Sequence, residues 1–305
     1  MAFLVVGESL VDLIGAGESW TFEAAPGGSP LNVAVALAAQ GRSVRLASEL
    51  GGDLFGVLVR DHLRRYAVDA TDVVVGDEPT SLAFARLDAG GAATYDFRFG
   101  WRYAGRPTLA GVDCLHTGSL GALVEPGATV VRDLVGAARD AGVPISYDPN
   151  VRPALIGERT AAVARVEELV GLADLVKVSA EDLAWLHPDR PPEFTAERWR
   201  GLGPDVVVVT RGAEGATAVY DGGRTEVAAP RVTVVDTVGA GDTFTAGLLA
   251  ALADAGAVAA GRRLSLTPAT IETAVRFATA AAAAVCTHRG ASPPTPEEIA
   301  TLLTA

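Results

Sequence analysis

Short apolar runs, several closed by Gly, Asp or a hydroxyl residue, recur along the chain, and segments of helical spacing lie between them. FLVVG at 3–7 is the first, ending in Gly7 as a buried strand does. SPLNVAVALAAQG at 29–41 follows as a helix of small residues, with Gly41 where a C-terminal stop belongs. VRLASELG at 44–51 predicts a strand, and residues 53–66 a helix. The pairing then repeats. A strand near 113–117 precedes a helix near 127–141, PISYD at 144–148 precedes a helix near 158–171, and DLVKVS at 174–179 precedes the helix AEDLAWL. DVVVVT at 205–210 is the most strand-like run, and a further apolar strand is expected to end at Val235. Strands alternating with helices at this spacing predict an α/β chain with a mostly parallel, helix-covered sheet.

Two stretches break the alternation. Residues 10–26 carry Gly15, Gly17, Trp20 and Phe22 between the first strand and its helix. Residues 80–100 read as a hairpin, two alternating runs around a Gly-Gly turn. Both suit a small second sheet, together a lid over the main sheet's ligand crevice. No repeat or low-complexity linker divides the chain. One domain over 1–305 is expected, with lid strands inserted at about 10–26 and 80–105.

Composition narrows the chemistry. Of 305 residues 49% are hydrophobic, ample for a large core. A net charge of −12 argues against nucleic acid or an anionic membrane as a partner, and leaves room for a small anion in a locally positive pocket. Lys177 is the one lysine among 25 basic residues, so no G-x-x-x-x-G-K-[ST] phosphate loop exists; biased base composition is the plain reading of the arginine excess. Cys114 and Cys286, with His62, His116, His187 and His288, are scattered without metal or disulfide spacing, which fits a reducing compartment. The start, MAFLVVGESLVDL, has no basic n-region and reads as a strand, so a cytoplasmic protein is expected.

DTVGAGDTF at 236–244 carries the chemistry. Amides of Gly239, Ala240 and Gly241 at a helix start make an anion hole, and Asp242 directly follows. A carboxylate there suits a base that deprotonates a hydroxyl attacking a phosphoryl group; the alternative is an acid favoured in a helix's first turn. In APGGSPLNVAVALA at 25–38, Gly27 and Gly28 allow a polyol close to the backbone, and Asn32 offers a donor and an acceptor. The alternative there is a helix entry with Ser29 as cap and Pro30 at the first position. Asp12 lies at a strand's carboxyl end, where open α/β sheets take ligands, and suits sugar hydroxyls.

On GGSPLNVA and DTVGAGDTF the chain resembles, along its full length, the PfkB/ribokinase family of ATP-dependent carbohydrate kinases, closest to fructokinase-like members. The resemblance implies a three-layer α/β/α ribokinase-like core with a mostly parallel sheet, a small β-sheet lid over the sugar, and transfer from MgATP to a sugar hydroxyl. SYDPNVRP at 146–153 looks like the D-P-N-x-R element, which directs Arg152 to substrate or phosphate; a surface arginine is the other reading. KVSAEDL at 177–183 stands where the family's N-x-x-E belongs, which puts Lys177 and Ser179 at the nucleotide. Ser179 replaces the Asn and Asp182 the Glu, with Glu181 beside it, as residues holding Mg²⁺ through water. VTRGAEGA at 209–216 implies Thr210, Gly212 and Gly215 along ATP, and AAAAVCTHRGASPP at 281–294 puts Cys286 and Gly290 beside adenine. Asp236 matches a monovalent-cation position, for K⁺.

GESLVDLI, GGSPLNVA and DPNVRP together look most like fructokinases. The lid, YDFRFGWRYAG at 95–105, lacks their G-T-A pattern and adds Arg98 and Arg102. An arginine under a lid pairs bidentately with a carboxylate, which makes a 2-keto-3-deoxygluconate kinase the alternative; arginines facing water or a dimer contact are the other reading. A sugar-binding regulator without catalysis is a third reading, motivated by the changed Mg²⁺ residues and opposed by the complete Gly-Ala-Gly-Asp turn. No G-x-G-x-x-G follows the first strand, which excludes a dinucleotide site there. A homodimer that pairs lids is expected, because pairing covers an exposed sheet edge.

Overall fold

The computed structural model describes residues 1–16, 20–87, 93–261 and 264–304. The first part of the chain forms β1 (Ala2–Val6), β2 (Leu10–Ala16), β3 (Phe22–Gly27), α1 (Ser29–Ala39), β4 (Ser43–Gly51), α2 (Leu54–Arg65), β5 (Asp69–Gly76), β6 (Ser81–Leu87) and β7 (Ala93–Arg98). There follow β8 (Cys114–Gly118), α3 (Gly127–Asp140), β9 (Ile145–Asp148), α4 (Pro153–Ile156), α5 (Arg159–Leu172), β10 (Leu175–Ser179), α6 (Ala180–Leu186) and α7 (Pro192–Arg200). Last come β11 (Val206–Thr210), β12 (Ala216–Tyr220), β13 (Gly223–Val227), α8 (Ala240–Asp254), α9 (Pro268–Val285) and α10 (Pro296–Leu303).

Nine strands form one sheet in the order β13-β12-β11-β10-β9-β8-β1-β4-β5. All pairings from β5 to β11 are parallel, and β12 runs antiparallel to both of its neighbours, β11 and β13. Parallel strands need helical crossovers, which bury both faces and explain the near-continuous apolar runs. Alternation along β1 sends Phe3 and Val5 into one core with α1, α8 and α9, and Leu4 and Val6 into another with α3, α5 and α7. These are the three expected layers.

The second sheet has the order β3-β2-β6-β7, with β2 and β6 parallel and both outer pairs antiparallel. Helix α2 covers one of its faces, where Phe55 and Leu58 meet Val11, Leu13, Leu82 and Phe84. Asp12, Ala83 and Phe97 stand in one row on the other face. The hairpin turn at Gly90 and Gly91, and Gly17, lie outside the described residues.

The structure corrects one element. No strand ends at Val235: residues 231–239 run irregularly, with Val234 and Val235 58% and 60% exposed. No neighbouring strand pairs with that segment, and Val235 N instead donates to the Cys286 carbonyl at 2.8 Å. Strands β5, β12 and β13 and helices α4, α7 and α10 were not anticipated from the sequence. Among the described residues no helix is long and apolar enough to cross a membrane.

Candidate active site

Helix α8 begins after Gly239, a left-handed N-cap with φ 79°, and no side chain caps it. The Ala240 amide donates to the Thr237 carbonyl at 3.2 Å, and no side chain caps the amides of Gly241 and Asp242 that follow it, which leaves this helix start open to an anion. A Cβ on Gly239 would also approach Ala291 Cβ to 2.7 Å, so both torsion and space call for glycine. Asp242, buried in that first turn, accepts from Ser29 Oγ at 2.6 Å and from Asn32 Nδ2 at 2.8 Å. Ser29 and Asn32 are three residues apart on α1 and so share a face. Each holds one carboxylate oxygen, which fixes the orientation of the acid.

That geometry changes two expectations. Gly28, with φ 102°, is the N-cap of α1 and makes no side-chain bond, so Ser29 Oγ is free for Asp242 rather than spent on the helix. Asn32, expected on the substrate, gives its amide to Asp242. The glycine pair also has a different neighbour from the expected polyol. A Cβ on Gly27 would lie 2.1 Å from Asp12 Oδ2, and one on Gly28 2.7 Å from the Glu8 carbonyl. The two glycines make room for Asp12 and for the turn that carries it.

Asp12 feels burial first and the Asp242 charge second, which push it up to about 6, while Arg152 pulls the other way. Glu8, 2% exposed, is pushed up to about 7 by burial, against its bonds from Gly121 N (2.6 Å) and Ser119 and the charge of Arg152. Arg152, exposed in the loop after β9, thus faces both acids. Arg152 couples to both Asp12 and Glu8, and Asp242 couples to Asp12, so these four charges lie close together.

Arg98 does not join them. Register pairs Arg98 with Leu82 and Phe97 with Ala83, and Asp12 stands opposite Ala83. Alternation then puts Phe97 on the Asp12 face and Arg98 on the reverse, where it bonds Asp96 at 2.8 Å and is 67% exposed. Arg98 and Arg102 line a cavity of about 670 Å³ with Glu49, Glu78 and Thr80 at that edge; Asp12, Asn32 and Asp242 do not line it. That cavity is separate from the residues gathered around Asp242.

Below the α8 start is a buried ion pair. Lys177 on β10, 3% exposed, bonds Asp148 Oδ2 at 2.9 Å, and its Nζ is 2.9 Å from the place a Gly241 Cβ would take. Burial raises Asp148 to about 6 against the pull of Lys177, and Asp182 and Asp242 add to the rise. Burial lowers the Lys177 pKa, but Asp148, Asp182 and Asp242 outweigh it and the net direction is up. The lysine expected at the nucleotide is thus enclosed under the turn.

Ser179 and Asp182 form a capping box on α6, with Asp182 N donating to Ser179 Oγ at 2.9 Å. Asp182 also accepts from Val151 N (3.0 Å) and Ser179 N (3.4 Å), so both its oxygens are engaged by backbone. Asp182, expected to meet Mg²⁺ through water, is thus tied to backbone, and Glu181 is the exposed carboxylate of the same turn. Among the described residues no three His, Cys, Asp or Glu converge on a metal.

Thr210 ends β11 opposite Ser179. Gly212 and Gly215 have φ 50° and 96°, and a Cβ on Gly215 would lie 2.0 Å from the Val227 carbonyl. Asp236 accepts from Val238 N (3.1 Å) and Gly290 N (2.9 Å), and the Cys286 carbonyl accepts from Val235 N and Asp236 N. Asp236, Cys286 and Gly290 therefore gather beside the 239–241 turn. Sequence reasoning missed Glu8 and Asp148. Each is an acid at or just past the carboxyl end of a parallel strand, the place the sequence assigned to Asp12; Asp12 itself lies inside β2 of the second sheet, because the chain turns back into a strand after Glu8.

The model of the pfkB family of carbohydrate kinases matches residues 2–298. A fructokinase of Rhizobium leguminosarum bv. trifolii is 35% identical over 262 residues, 82% of this chain and 79% of that protein. The chain is similar to a solved double mutant of fructokinase from Vibrio cholerae O395, in fructose-, ADP- and potassium-bound form, with TM-score 0.84 and 27% identity over 99% of this chain and 98% of that one. It is equally similar to aminoimidazole riboside kinase from Salmonella enterica, complexed with aminoimidazole riboside and an ATP analog, with TM-score 0.84 and 27% identity over 99% and 100%.

Asp12 supplies a pH test. Its pKa rises from 3.8 to about 6 on folding, so its contribution to stability is present below pH 4 and is lost as pH rises through 6. Asp12→Asn is expected to gain about 1–3 kcal/mol in urea unfolding at pH 8, and much less at pH 4.5. An equal gain at both values contradicts this electrostatic reading.

Proposed function

The chain belongs to the pfkB family of ATP-dependent carbohydrate kinases, and on that premise we propose that its acceptor is D-fructose. The observation that carries the reading is Asp242, clamped by Ser29 and Asn32 beside the uncapped start of α8. Asp242 takes the proton of the hydroxyl that attacks the γ-phosphorus of ATP, and ADP leaves. Amides of Gly239, Ala240 and Gly241 spread the charge of the group in transfer. Asp12 and Glu8 offer acceptors to sugar hydroxyls. A crevice with three carboxylates suits a neutral polyol better than an acid.

The nucleotide is read as lying along Thr210, Gly212 and Gly215 on one side and Cys286 and Gly290 on the other. Mg²⁺, when bound, neutralises the phosphate oxygens; it keeps most of its waters, and Glu181 is the side chain read as meeting them. Asp236 is read as the neighbour of a K⁺ ion. The enzyme is read as cytoplasmic, where ATP is supplied. A sugar acid of the 2-keto-3-deoxygluconate type is the second reading, and Arg152, turned to the crevice, is the observation that favours it.

Coupled ADP release with MgATP is expected to give a kcat/KM for fructose at least about 10-fold above 2-keto-3-deoxygluconate, ribose, glucose, fructose 1-phosphate, adenosine and aminoimidazole riboside, the gap a single well-placed contact gives. Asp242→Asn is expected to lose at least about 10²-fold in kcat. Preference for the sugar acid overturns the fructose reading, and sugar binding with no turnover on any substrate turns the protein into a sensor. The free edges of the lid sheet are read as a homodimer contact. Sedimentation is expected to give the dimer mass, and a monomer at micromolar concentration rejects it.

A further inference from the structure

Lys177 is the one lysine among 25 basic residues. A bias that writes arginine at the other 24 marks, by its exception, a place where arginine does not serve. The structure supplies the reason. The ammonium is held between Asp148 Oδ2, 2.9 Å away, and the Cα of Gly241, whose absent Cβ would lie 2.9 Å from Nζ. Gly118 closes on the same pair, since a Cβ there would lie 2.1 Å from the Asp148 carbonyl. A compact ammonium fits that space; a planar guanidinium with five donors does not.

Stability does not account for the pair. A buried ion pair is often no more stable than an apolar pair of the same volume, because desolvation of two charges offsets their attraction. Lys177 is also shut off from bulk solvent and from any ligand above the turn. What it does touch is the second residue of α8, in the segment whose amides would receive the phosphoryl group.

We propose that Lys177 is a positioning residue that acts through Gly241, holding the 239–241 turn from below and placing a fixed positive charge under both the phosphoryl group and Asp242. This rests on the reading of that turn as the phosphoryl site. A cation one backbone layer beneath a developing negative charge, away from water, acts at short range and needs no reorganisation during the reaction. Asp242 faces Ser29 and Asn32 from α1, Asp12 from β2, Asp148 from β9 and Lys177 from β10. Arg152 stands on the solvent side by Asp12 and Glu8, and Lys177 is the cation beneath the turn.

The test compares K177R and the double variant K177M/D148L with wild type, on whichever sugar wild type turns over. Failure here is therefore separable from failure of the fructose reading. The double variant leaves no unpaired buried charge, and its melting temperature is expected to stay near that of wild type. Its kcat is expected to fall about 10²-fold, the scale of losing one oxyanion donor, with the sugar KM within about threefold. A fall in kcat with the sugar KM held separates this role from a merely structural one. K177R is expected to lose at least about 10-fold in kcat while still folding, with a lowered melting temperature because the guanidinium overfills the space. Wild-type kcat in the double variant overturns the proposal. If the double variant does not fold, K177R decides: wild-type kcat overturns the proposal, and loss with the fold intact upholds it.

Discussion

Two hydrogen bonds between α1 and α8 organise this molecule. Ser29 and Asn32 reach Asp242 across more than two hundred residues of sequence and fix both oxygens of its carboxylate. They hold only if α1 starts where it does. That start needs Gly28 at φ 102°, a Pro at the second helical position and an Asp12 carboxylate in the space a Gly27 side chain would fill. One contact thus ties the lid-side acid, the first helix and the uncapped helix start into a single piece of geometry.

Charge is arranged around that contact with little margin. Glu8, Asp12, Asp148 and Asp242 are all withdrawn from water to some degree, and burial raises the first three above the ordinary carboxylate range. Arg152 faces two of them from the solvent side and Lys177 faces two from below. A site built this way is costly in stability and useful for chemistry. Protons are exchanged near neutral pH, and hydroxyls find acceptors without a full negative charge on every acid.

The layers were legible because parallel strands buried on both faces leave continuous apolar runs, and β1, β8, β10 and β11 appear in the sequence as they do in space. The run ending at Val235 has the same composition but no strand beside it, and pairing is a property of the partner rather than of the run. Asp242 and its glycines were readable because one short segment carries the turn, the amides and the acid together. Arg98 was misplaced because a one-residue register decides its face, and sequence alone does not fix register. The bond from Asn32 to Asp242 was not legible, since that partner lies on a distant helix. Glu8 and Asp148 went unnoticed because nothing local separates a buried acid from an exposed one.

The account stands or falls on where the attacked hydroxyl lies. A crystal structure with the acceptor sugar and a non-hydrolysable ATP analogue measures it directly. The account predicts one sugar hydroxyl about 2.6–3.2 Å from an Asp242 oxygen, in line with a γ-phosphate held by the amides of 239–241. A sugar whose nearest hydroxyl is beyond hydrogen-bond reach of Asp242, or a γ-phosphate bound away from that turn, contradicts it.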